Sequence, residues 1–131
     1  MRSLMTTIAI ALAAATLSAQ TPAQTLTITG CLKPENDVPG LKPDSLERLG
    51  TNLDFILTNV KMAQDSGVSG LALEPNYEIE GINWAELLKH INHQIEVTGK
   101  VSDPGNKEKT DAPDFKATSF KMVSASCELP K

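Results

Sequence analysis

The 131-residue chain reads as a mainly β protein, a small five-stranded barrel with one helix between its third and fourth strands. Two observations predict this. Five segments alternate apolar and polar residues with the period of two expected of half-buried strands. One short segment, between the third and fourth of them, repeats its apolar residues with helical spacing instead.

The first 19 residues stand apart from that pattern. Met1-Arg2 is a small positive start, and Leu4 to Leu17 is an apolar run broken only by Thr6, Thr7 and Thr16. Either Ala19 or Ala23 precedes the cut of a secretory signal, which predicts Sec-type export from a bacterium to the periplasm or beyond. The run is too short for a comfortable membrane span and no second candidate follows, so no integral anchor is expected after cleavage. Residues 20–131 then suffice for one domain.

Strand one is Thr25–Leu32, where Leu26, Ile28 and Gly30 alternate with threonines. Lys33 to Asn52 is rich in Pro, Gly and Asp and reads as a long connection. Within it, Asp44 to Gly50 has the cap, acid and terminal glycine of a short helical turn. Phe55–Met62 is strand two, and Ala63 to Asn76 is a second connection. In strand three, Tyr77 and Ile79 alternate with Glu78 and Glu80. Asn83 is placed to cap a helix starting at Trp84, with Glu86 at the capping-box position. Trp84, Leu87, Leu88 and Ile91 form one apolar stripe that predicts core packing, with Glu86, Lys89 and His90 facing out. Asn92 suits the left-handed position that stops a helix. Strand four runs from Gln94 to Val101, followed by a turn at Ser102–Asn106. In strand five, Phe115–Val123, Phe115 and Ala117 lie on one register and Phe120 and Met122 on the other. A bulge near Thr118-Ser119 is therefore expected.

Strand, strand, strand, helix, strand, strand is the order of an OB-fold. Gly30 and Gly99 sit mid-strand, where small barrels bend. Thr29-Gly30-Cys31-Leu32, Phe55-Ile56-Leu57-Thr58, Tyr77-Glu78-Ile79, Asn92-His93-Gln94-Ile95-Glu96-Val97-Thr98-Gly99 and the late Met122 before Cys127 resemble a family of small secreted bacterial OB-fold-like proteins of unknown function. This chain departs from that pattern in having Asn92 where the family has glycine, and in the length of the insert after strand one. The resemblance implies a binding or stress role through loops and barrel face.

Charge excludes one class of partner. Removing the leader takes Arg2 and no acid, so 12 basic residues against 16 acidic become 11 against 16. With its lysines scattered, such a chain repels nucleic acid phosphates.

Cys31 and Cys127 are the only cysteines, and in an oxidising compartment they read as a disulfide. The alternative is that Ile28-Thr29-Gly30-Cys31 is a lipobox whose cysteine is lipidated, although it stands well beyond the apolar run. No catalytic constellation is legible. Gly67-Val68-Ser69-Gly70-Leu71 lacks the last glycine of a nucleophile elbow. Glu78 and Glu80 share a strand face and read as solvated charge. Tyr77 and Trp84 could stack a ligand, but Trp84 belongs to the apolar stripe. His90 and His93 are the weak metal candidates, three residues apart with His93 beyond the helix end.

The sequence therefore predicts a non-catalytic domain, without cofactor, that binds a protein, an envelope component or a small molecule. A metal-binding protein using the two histidines and an unrecognised hydrolase are the alternatives.

Overall fold

A computed structural model describes residues 24–42, 53–63, 72–103 and 111–128. The expected signal peptide, the helical turn at Asp44 to Gly50 and the Gly67 to Leu71 motif lie outside the described residues.

Five strands, β1 (Leu26–Pro34), β2 (Phe55–Met62), β3 (Tyr77–Glu80), β4 (Gln94–Asp103) and β5 (Asp114–Ser124), form one sheet, with helix α1 (Trp84–Leu88) between β3 and β4. The sheet closes in a ring in the order β1-β2-β3-β5-β4, because β4 returns to pair with β1. All seams are antiparallel except β3 with β5. The chain thus needs a long crossover only where α1 and β4 intervene, as parallel pairing requires.

Inward residues of every strand meet in one core: Leu26, Ile28, Leu32, Phe55, Leu57, Tyr77, Ile79, Ile95, Val97, Phe115 and Ala117, plugged from α1 by Leu87. Tyr77 and Phe115 meet edge to face with ring centroids 5.9 Å apart, the arrangement that the ring quadrupole favours. Tyr77 also keeps its hydroxyl satisfied by accepting a hydrogen bond from the Glu74 backbone N–H at 3.1 Å.

Both mid-strand glycines lie opposite bulges. On β2, two residues, Asn59 and Val60, oppose Gly30 between the pairs Thr29↔Lys61 and Cys31↔Thr58, and Asn59 takes a φ of 51°. A Cβ on Gly30 would stand 2.6 Å from the Thr58 carbonyl oxygen. On β5, Thr118 is the extra residue between Thr98↔Ser119 and Gly99↔Ala117, the expected bulge. There a Cβ on Gly99 would collide with the Lys116 carbonyl and with Ala117 Cα. Each glycine lets the bulged partner fold in over it.

β4 runs to Asp103, two residues past its predicted end at Val101 and into the predicted turn, because it is still paired with β5 there. Two further expectations need correction. β1 runs two residues further than predicted, to Pro34, whose missing N–H is harmless because β1 pairs with β4 only as far as Cys31. A short 3-10 turn, Glu35–Asp37, follows. Val38 and Leu41 then pack on Ile56 and Ala112 as a second small core. Ile56 alternates with Phe55 and Leu57 and points away from the main core, so the connection after β1 covers the outer face of β2.

The second correction concerns the helix. Asn83 caps it as predicted, its Oδ1 accepting from the Ala85 N–H at 2.8 Å. Glu86 does not close a capping box and instead accepts from Lys89 Nζ at 3.1 Å. The helix stops at Leu88, and the chain continues in tighter turns, with Lys89 N–H donating to Glu86 and His90 N–H to Leu87. A one-turn helix presents one residue to a core. Leu87 is buried, whereas Trp84 is 59% and Leu88 42% exposed. The stripe read as core packing is therefore half on the surface.

Candidate functional site

Three features carry side chains with chemical potential. The first is the corner between α1 and β4. Asn92 adopts a φ of 62°, the left-handed conformation that its residue type predicts. This reversal sends His93 back beside His90. The His93 N–H donates to the His90 carbonyl at 3.0 Å, and the corner is stitched to β1 by Asn92 N–H to Leu32 carbonyl at 2.8 Å and Leu32 N–H to His93 carbonyl at 3.1 Å. The two rings meet with Nδ1 atoms 3.2 Å apart. His90 also sets its ring edge to face with Phe120, centroids 5.2 Å apart. His90 was expected to face outward; it is half-buried, because the helix ends before it and its ring turns toward β5.

The second feature is an acidic seam. Glu78 and Glu80 share the outer face of β3 as expected, and the parallel partner β5 places Asp114 directly opposite Glu78. Carboxylate oxygens of Glu78, Glu80 and Asp114 all lie within 4.8 Å of one another. Glu78, expected as solvated charge, is instead half-buried beside Ile56, its cross-strand neighbour. Burial, and then the negative charges of Asp54, Asp114, Glu35 and Glu80, push its carboxyl up to about 8. Burial and the charges of Glu80, Asp103, Asp111 and Asp54 raise Asp114 as well. Oxygen donors of this kind suit hard cations, and such groups are also common without one. At neutral pH the seam holds a proton that an isolated glutamate would have lost.

Sequence reading found Glu78 and Glu80 but not Asp114, Asp54 or Glu35 as their neighbours. The pairing of β3 with β5 is non-local, and a charge at a strand start carries no signal of which strand it will face.

The third feature is apolar surface. Trp84 and Leu88, one turn apart on α1, and Met122 and Val123 near the end of β5 are the large exposed hydrophobic residues among those described. Met122 lies across from Ile95 and Phe120 across from Val97, so both point to the core side of the sheet, with Met122 beyond the packed interior. Tyr77 is a core residue and does not join Trp84 in a stacking platform.

Cys31 and Cys127 form a disulfide, with Cα atoms 5.5 Å apart and a sequence separation of 96. This consumes the Cys31 sulfur that lipidation would need, and it removes both cysteines as metal ligands. It is the chemistry of an oxidising compartment. No helix among the described residues is long and apolar enough to cross a membrane.

No family model matches the chain, and no curated protein or solved structure matches it either.

Proposed function

We propose that this is an exported, non-catalytic binding domain of OB-fold-like build that takes a protein or an envelope component against the exposed face of α1. The OB-like reading is supported by the ring order β1-β2-β3-β5-β4 with its parallel β3–β5 seam and its helix between β3 and β4. Export is supported by the disulfide together with the leader-like start of the sequence.

One observation carries the binding reading: the chain's only tryptophan stands 59% exposed, with Leu88 beside it on the same short helix. Tryptophan in water forgoes burial that stabilises by up to a few kcal/mol, and such residues are the common anchors of interfaces. The acidic balance of the chain favours a neutral or basic partner over an anionic one.

Trp84 makes the test direct, because all tryptophan emission comes from it. The free protein is expected to show water-like emission that iodide quenches. Titration with neutral peptidoglycan fragments or with basic peptides is expected to shift that emission to the blue, and Trp84→Ala is expected to keep the fold and abolish binding measured by calorimetry. Failure of both probe classes to shift Trp84 would remove this reading, as would turnover of substrate in a broad hydrolase screen.

A further inference from the structure

We propose that His90 and His93 form a two-imidazole site for a tetrahedral divalent ion, Zn2+ being the best fit, bound through both Nδ1 atoms. Two positions would remain for water or for a donor from another molecule. The site is separate from the α1 face and does not depend on what binds there.

The argument starts from distance. Ligands on a tetrahedral zinc with Zn–N bonds of about 2.0–2.1 Å stand about 3.3–3.4 Å apart, whereas neighbouring ligands of a square-planar ion with similar bonds stand about 2.8–3.0 Å apart. The Nδ1 atoms are 3.2 Å apart, nearer the tetrahedral edge. Without an ion, that contact is a hydrogen bond in which one Nδ1–H donates and the other Nδ1 accepts. In a neutral pair, one ring then carries its proton on Nδ1 and the other on Nε2. When the ion binds, the Nδ1 proton moves to Nε2 of the same ring through solvent, and both lone pairs turn to the metal. Neither neutral ring loses a proton overall.

Preorganisation is the second element. His90 N–H is held on the Leu87 carbonyl at 2.9 Å, His93 N–H on the His90 carbonyl, and the His93 carbonyl on β1 through Leu32. The Phe120 ring packs edge to face with the His90 ring, centroids 5.2 Å apart. A backbone held this way keeps the two residues side by side, so only the rings turn when the ion binds. Both residues are half-buried, so neither is sealed in the core.

The test uses the mature, disulfide-intact protein after chelator treatment. Calorimetry with zinc chloride is expected to give one ion per chain, and the signal to vanish in His90→Ala and in His93→Ala while persisting in Glu78→Gln. Long-range 1H–15N spectra of the unsubstituted protein are expected to show one Nδ1–H and one Nε2–H tautomer before zinc and two Nε2–H tautomers after it. This second readout needs no variant to fold. Zinc heat that survives both histidine substitutions but disappears in Glu78→Gln would assign the ion to the carboxylate seam. Histidine tautomers that do not change with zinc would equally overturn the proposal.

Discussion

Glu78 shows how one covered residue sets a response to pH. Its carboxyl titrates near 8 in the fold against an ordinary value of 4.5, so the folded chain holds a proton that the unfolded chain releases. That contribution to stability is fully present below about pH 4.5 and is lost as pH rises through about 8. Glu78→Gln, which keeps the shape and removes the charge, is expected to flatten the fall in stability between those limits. At pH 8 the gain should be about 1 kcal/mol; half-exposure and screening keep it far below the roughly 5 kcal/mol of the undiscounted shift. Urea midpoints at pH 5 and pH 8 for both proteins measure it, and a parallel fall in the two would contradict the assignment. Trp84 and Leu87 make a second contrast at this scale. Leu87→Ala should cost roughly 2–5 kcal/mol, and Trp84→Ala less than about 0.5, because only the first leaves a cavity. Equal losses in a denaturant titration would mean that Trp84 is packed after all.

Among the elements, two of the bulges fold a strand in over a mid-strand glycine, and the sequence announced one of these two. Phe115 and Ala117 lie on one register and Phe120 and Met122 on the other, and that change of phase is visible without any structure. The β2 bulge was hidden, because Asn59 and Val60 break no alternation that a reader would notice. Gly99→Ala would drive a methyl into the backbone at Lys116 and Ala117. It should cost roughly 2–3 kcal/mol, read as a drop in thermal midpoint, and recovery of native stability would argue that β5 can shift away. Helix α1 is the opposite case. Asn83 marked its cap correctly and Asn92 has the left-handed geometry expected of it, but the helix ends at Leu88, before Asn92, and the stripe of Trp84, Leu87, Leu88 and Ile91 overstated its burial. Periodicity fixes the angle between side chains; it carries no information on how wide a wall the helix will meet. His90 and His93 were legible as a spacing only. What brings them together is the reversal at Asn92.

For the whole molecule, the disulfide spans 96 residues of separation and ties the tail after β5 to the strand at the start of the ring. In the chain-entropy account a loop of that length removes about 4–5 kcal/mol of freedom from the unfolded state. Cys127→Ala leaves β1 untouched and is expected to lower stability by roughly 2–5 kcal/mol, and reduction of the native protein should do the same. A change below about 1 kcal/mol in a urea titration would show that the tail contributes through contacts rather than through closure. The pairing was legible because the sequence has two cysteines and no more. The acidic seam was not, since it exists only once β3 has found β5.

The place of β1 in the ring has one more consequence, for the order in which the molecule can be completed. β1 pairs on one side with β2, which follows it directly, and on the other with β4, as far along as Gly99. Of the ring strands it is the earliest to be synthesised, and one of its edges must wait for most of the others. An open strand edge is a template for pairing with another chain, and late non-local pairing makes folding slow. During that interval Cys31 is also a free thiol, since its partner lies beyond every strand. Speed of completion, more than final stability, is therefore what protects this chain from its neighbours.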